Sequence, residues 1–103
     1  MAKKFLISRA VENKLKERHD VTTDEVYECF MNIEGPAFKD TRAEHDTDPP
    51  TMWFVASTDR GRRLKVVYIE REESFSIKTA YEPKDGSDEL YKRLCEKQRP
   101  LKK

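Results

Sequence analysis

Three apolar segments joined by two short polar links constrain this chain more than any other feature in it. Residues Thr51 to Thr58, Arg63 to Glu70 and Ser74 to Ala80 have the length and composition of strands. Asp59-Arg60-Gly61 links the first two and carries the glycine that a tight hairpin needs for positive φ, and Arg71-Glu72-Glu73 links the second to the third. This spacing predicts an antiparallel meander. In the first segment Met52, Phe54 and Ala56 alternate with Trp53 and Val55, and both sets are apolar, which predicts a central strand covered on both faces. In the second, Leu64, Val66 and Tyr68 alternate with Lys65, Val67 and Ile69. In the third, Phe75, Ile77 and Thr79 alternate with Ser76, Lys78 and Ala80, which places Lys78 on one face with its two neighbours.

Helical signals precede the meander. The short apolar run Phe5-Leu6-Ile7 leads to Ser8, whose hydroxyl suits an N-cap, and Val11 and Leu15 then recur at helical spacing. Lys14, Lys16, Glu17 and Arg18 cover the other face, and His19-Asp20 ends the helix. A second start is written in Thr22 and Glu25, which have capping-box spacing, with Val21 and Val26 at the staple positions. Val26, Cys29, Phe30 and Ile33 form its apolar stripe, and Gly35-Pro36 stops it. Residues Lys39 to Pro50 are polar and read as a loop with a short edge strand. After Glu82-Pro83, Ser87 can cap a last helix with Leu90, Tyr91, Leu94 and Cys95 inward, before a basic tail from Lys97 to Lys103. The expected architecture is α+β in one domain over residues 1–103. Two N-terminal helices pack on a twisted antiparallel sheet, made of the meander plus an N-terminal and a short edge strand, and a C-terminal helix follows.

Composition narrows the setting. Of the 103 residues 36% are apolar and 40% charged, a mixture that would suit disorder were the apolar ones not gathered into periodic stretches. The longest apolar runs, Met52 to Ala56 and Val66 to Ile69, fall far short of the roughly 20 residues that span a bilayer, so no membrane helix is expected. The N-terminus lacks the apolar stretch of a secretion signal, which predicts a cytoplasmic protein. Cys29 and Cys95 fall at apolar helix positions without a partner at metal-ligand spacing and read as structural thiols. The net charge of +1 is unevenly spread: residues 1–22 carry +3, 23–50 carry −6, 51–80 carry +2 and 81–103 carry +2. Such asymmetry allows a local basic surface for a phosphate backbone on a nearly neutral chain.

Four short motifs in order carry a family resemblance. They are His19-Asp20-Val21 before an acid-capped helix, Asp40, Arg42 and His45 in the middle loop, Gly61-Arg62 before an apolar strand, and Glu89 with Tyr91 near the end. Over nearly its whole length the chain resembles the BrnT-type toxins of the RelE/ParE-like fold. That resemblance implies RNA cleavage without a ribosome, neutralisation by a DNA-binding antitoxin partner and autoregulation. One departure is visible: where the family pattern ends its last strand in Ser-Ala-Arg, this chain reads Thr79-Ala80-Tyr81-Glu82-Pro83. The stretches Thr47 to Phe54 and Thr58 to Val66 also resemble small proteins labelled ADP-ribosyl-(dinitrogen reductase) hydrolase.

Metal-free RNA cleavage needs a base for the 2′-hydroxyl, a cation for the phosphorane and an acid for the leaving oxygen. The expected catalytic set is His45, Arg62, Lys78 and Tyr81, with Arg42, Arg60, Arg63 and Lys65 contacting RNA. No metal site or other cofactor is expected, because the acids between Asp40 and Asp48 lack a calcium-loop pattern. Each candidate has a plainer use: His45 as a salt-bridged loop residue, Arg60, Arg62 and Arg63 as a solvated hairpin tip, Lys78 as edge protection. The rival class is therefore a catalytically inert binding module of the same fold. The sequence leaves open whether the chain forms a homo-oligomer.

Overall fold

The structure, a computed structural model, describes residues 4–40 and 50–98. Eight elements follow in order: β1 (Lys4–Leu6), α1 (Arg9–His19), α2 (Thr23–Met31), β2 (Phe38–Lys39), β3 (Thr51–Ser57), β4 (Arg63–Glu70), β5 (Ser74–Tyr81) and α3 (Ser87–Gln98). The strands form one five-stranded sheet in the order β1-β5-β4-β3-β2. The architecture is α+β, with the expected meander β3-β4-β5 at its centre and no helix among the described residues long and apolar enough to cross a membrane.

The sheet is mixed, which corrects the all-antiparallel expectation. β1 lies beside β5 and runs parallel to it, Phe5 opposite Phe75, while β2-β3, β3-β4 and β4-β5 are antiparallel. The reason is topological. The two helices carry the chain across one face to the far edge, and the meander returns it so that β5 ends beside β1 in the same direction.

Both N-terminal helices start as the sequence predicts. The Ser8 hydroxyl accepts from Val11 N, and Thr22 with Glu25 makes a complete capping box. α1 closes through Asp20, whose N–H reaches the Leu15 carbonyl and whose left-handed backbone (φ 55°) turns the Val21 N–H back to the same oxygen (2.9 Å). α2 stops at Met31, earlier than Gly35, because the Asn32 side chain turns to donate to the Ser57 carbonyl (2.9 Å) and to Asp59 (3.0 Å). Ile33 therefore leaves the apolar stripe and is half exposed.

The helices bury the stripe Leu15, Val26 and Cys29 against one sheet face. Phe30 meets Phe54 and Tyr68 edge-on there, and the Cys29 thiol donates to the Ala56 carbonyl. On the other face Trp53 packs against Tyr91 of α3 and Phe38 of β2. β3 is thus covered on both faces, and Phe54, Val55 and Ala56 are fully buried. Truncating Phe54 to alanine would cost about 3–5 kcal/mol by loss of packing.

The hairpin after β3 closes as a turn with Gly61 at φ 86°, Gly61 N donating to the Thr58 carbonyl. β5 is less regular than the sequence predicts. Val67 faces Thr79 and Tyr68 faces Ile77, so Lys78 is the extra residue of a β-bulge. Alternation therefore breaks after Ile77: Ala80, not Thr79, joins Ile77 in the buried core, and Tyr81 turns to the side of Lys65.

Candidate functional site

Arg62 follows the glycine of the turn, and its guanidinium reaches back across the ends of both N-terminal helices. Nε donates to Glu82 (2.9 Å), Nη1 to both Glu25 oxygens (3.1 Å each) and to the Asp20 carbonyl (2.7 Å), and Nη2 to the His19 carbonyl (3.2 Å). The planar fork thus caps the C-terminal carbonyls of α1 while pairing with two carboxylates. Its hydrogen bond holds the Glu82 carboxyl below the ordinary range. Burial alone would lower the Arg62 pKa, but the bonds to Glu82 and Glu25 outweigh it and raise it. Arg62 is accordingly a positioning group that holds the end of α1.

That end presents His19. Its imidazole lies 5.5 Å from the Tyr81 ring, tilted by 40°, at the corner where β5 leaves the sheet. Burial first, then the charges of Lys14 and Arg18, lower the His19 pKa below 6.5, so the ring is neutral at pH 7. Arg18, His19, Arg62, Tyr81, Glu82 and Lys84 line a cavity of about 400 Å³.

Behind Tyr81 stands Lys65, opposite it in the β4-β5 ladder and buried to 7% exposure. The ammonium lies 5.8 Å from the Tyr81 ring centroid and 4.8 Å from that of Trp53, and donates to Ser87 Oγ (3.1 Å). Trp53, Lys65, Tyr81 and His19 therefore form one continuous row across the sheet. Trp53 and Lys65 at one end of the row are buried, and Tyr81 and His19 at the other are half-buried.

The remaining candidates lie apart from the row. Arg63 is tied to α3 through Asp88 (2.8 Å) and bonds Ser57 Oγ (3.2 Å). Arg60 is exposed on the turn and Lys78 is exposed at the bulge. Arg42 and His45 lie outside the described residues. Arg62 and Tyr81 line the same cavity, Lys78 of the sequence grouping does not, and Arg62 comes to it already paired. His19 was not among the sequence candidates, although the His19-Asp20-Val21 motif marked its position. Ser87 caps nothing: Asp85 accepts its N–H (3.1 Å), Gly86 supplies the first helical carbonyl, and the Ser87 hydroxyl serves Lys65. Of the expected inward residues of α3, Leu90 is 43% exposed while Tyr91 is buried.

Among the described residues no group of three or more His, Cys, Asp or Glu side chains is placed to hold a metal ion. No protein-family model, curated protein or solved structure matches the chain.

Proposed function

We propose that this chain is a cytoplasmic toxin of the RelE/ParE-like fold, BrnT-like in character, that cleaves RNA without a metal and is neutralised by an antitoxin partner. The observation that carries the reading is the contact of a neutral His19 with Tyr81 at the end of the row that begins at Trp53. His19 takes the proton of a ribose 2′-hydroxyl, and the freed oxygen bonds to the adjacent phosphorus. The bond from phosphorus to the 5′-oxygen breaks, and that oxygen takes its proton from the Tyr81 hydroxyl. Arg18 and Lys84, at the rim of the same cavity, offset the charge that develops on the phosphorane. The products are a 2′,3′-cyclic phosphate and a 5′-hydroxyl.

One observation favours a second reading, an inert binding module of the same fold. The Arg62 guanidinium is taken up by Glu25, Glu82 and two carbonyls, so it has little left for a phosphate. Incubating purified protein with single-stranded RNA decides between them. Cyclic-phosphate ends that disappear in His19→Ala and Tyr81→Phe support the nuclease; intact RNA, with normal growth of expressing cells, removes it.

A further inference from the structure

Trp53 and Lys65, at the far end of the row from His19, also line a second cavity of about 530 Å³, together with Phe38, Lys39, Asp85 and Leu94 among others. Cavities that take small organic ligands run roughly 300–1,000 Å³. Phe38 and Trp53 pack on one another in its wall, centroids 6.0 Å apart and tilted by 48°. Lys65 is 7% exposed, and Ser87 Oγ takes one of its three N–H donors. Asp85 sits on the same cavity with Oδ1 accepting from Ser87 N, and the hydrogen bonds from Ser87 hold its carboxyl below the ordinary range, so it is ionised. Ser87 thus links the ammonium and the carboxylate and fixes their spacing.

A ligand for this cavity is flat, apolar on its faces, and carries acceptors for the ammonium beside donors for the carboxylate. Among the four RNA bases, guanine alone offers two adjacent acceptors, O6 and N7, followed by two adjacent donors, N1–H and the N2 amino group. Adenine offers a single acceptor and a single amino donor on the corresponding edge. We infer that the Phe38-Trp53-Lys65-Asp85 cavity is a guanine subsite, in which the base lies against the wall made by the two packed rings, Lys65 donates to O6 and N7, and Asp85 accepts from N1–H and N2. The inference rests on the RNA-cleaving reading above, since Tyr81 stands between this cavity and His19, and it names the base held beside the cleaved phosphodiester.

Trp53 is the only tryptophan of the chain, so its fluorescence reports on this cavity alone. Titration of the whole protein with GMP, AMP, CMP and UMP is expected to give saturable quenching by GMP, at an affinity about tenfold above that for AMP. Lys65→Met removes the donors. Asp85→Asn keeps an oxygen for the Ser87 N–H, and so the α3 start, while presenting an amide donor to the base. Each variant is expected to lower GMP affinity about tenfold, and Asp85→Asn to leave AMP binding unchanged. Equal quenching by all four nucleotides, or none by any, overturns the subsite. Failure of the subsite is distinct from failure of the nuclease. RNA cleavage without GMP binding removes the subsite alone, whereas GMP binding without cleavage upholds the subsite and removes the catalytic reading.

Discussion

Arg62 and Glu25 lie 37 residues apart in sequence and meet at 3.1 Å, joining the turn after β3 to the capping box of α2. Glu25 therefore serves its own helix start, accepting from Thr22 N at 3.0 Å, and the guanidinium that caps α1. Arg62→Lys keeps the charge but cannot reach Glu25, Glu82 and two carbonyls with one compact ammonium. Both side chains of the pair are 25% exposed, so solvent screening reduces what the ion pair itself contributes. The expected loss is about 1–2 kcal/mol, most of it from carbonyls and carboxylates left without their donor, measured as a lower urea midpoint at unchanged slope.

The pairing of Arg63 with Asp88 sets an acid limit on stability. The hydrogen bond from Arg63 outweighs burial and holds the Asp88 carboxyl below its ordinary value of 3.8. A carboxyl depressed in the folded state contributes stability that is present above the unfolded pKa and lost as pH falls through the folded one. Stability is therefore expected to be level above about pH 5 and to decline below the ordinary Asp value, by about 1 kcal/mol from this pair after allowance for screening. Asp88→Asn is expected to flatten that part of a stability-against-pH curve.

His19 makes the catalytic reading testable through its titration. A neutral imidazole is the active form of a base, so cleavage is expected to rise with pH through the His19 pKa, with its midpoint below pH 6.5. Arg18 is one of the charges that lower this pKa, so Arg18→Gln is expected to raise it and move the acid limb toward higher pH. His19 chemical shifts followed by NMR across the same range give the matching pKa in both proteins. A rate profile that does not move with the NMR titration would separate His19 from the chemistry.

How much of this was legible in the sequence depended on how local the cause was. The meander, the Gly61 turn and the Thr22-Glu25 box are written in residues a few positions apart, and each lies where the sequence places it. Alternation could not reveal the bulge, because an inserted residue such as Lys78 shows only when its partner strand is beside it. The early end of α2 depends on Asn32 reaching Ser57, and the use of Ser87 depends on Lys65. The site was legible only in part for the same reason. Tyr81 and Arg62 were visible as chemistry-bearing residues, but the role of Arg62 comes from Glu25, Glu82 and the carbonyls of His19 and Asp20, which the fold alone assembles.

The bulge gives a test of how Tyr81 is aimed. Lys78 is exposed, so Lys78→Ala is expected to change stability by less than about 0.5 kcal/mol. Deleting Lys78 removes only the extra residue, so Tyr68 still faces Ile77, Val67 faces Thr79 and Lys65 faces Tyr81, now in a regular ladder. Deletion is therefore expected to keep Ala80 in the core and Tyr81 beside Lys65, with a melting temperature close to that of the parent. Loss of the fold on deletion would show that the local bend of the bulge, not the pairing, holds Tyr81 in place.

Gly35 lies against Tyr91 and Cys95 of α3. A Cβ there would lie 2.7 Å from Cys95 Sγ and 3.2 Å from the Tyr91 hydroxyl, which itself donates to the Pro36 carbonyl at 2.8 Å. Gly35→Ala therefore forces Cys95 to move, and is expected to destabilise by about 1–3 kcal/mol, in the range of overpacked interiors. The clash is with one sulfur, so Cys95→Ala in the same chain should restore most of the loss, a coupling that a double-mutant cycle in urea measures directly. The thiols supply an independent check. Cys29 is fully buried, and burial pushes its pKa up to about 12, so it should resist a disulfide reagent in the native protein while half-buried Cys95 reacts. If α3 is packed on Gly35 as described, Gly35→Ala should also change the rate at which Cys95 reacts, because the sulfur must leave its present place.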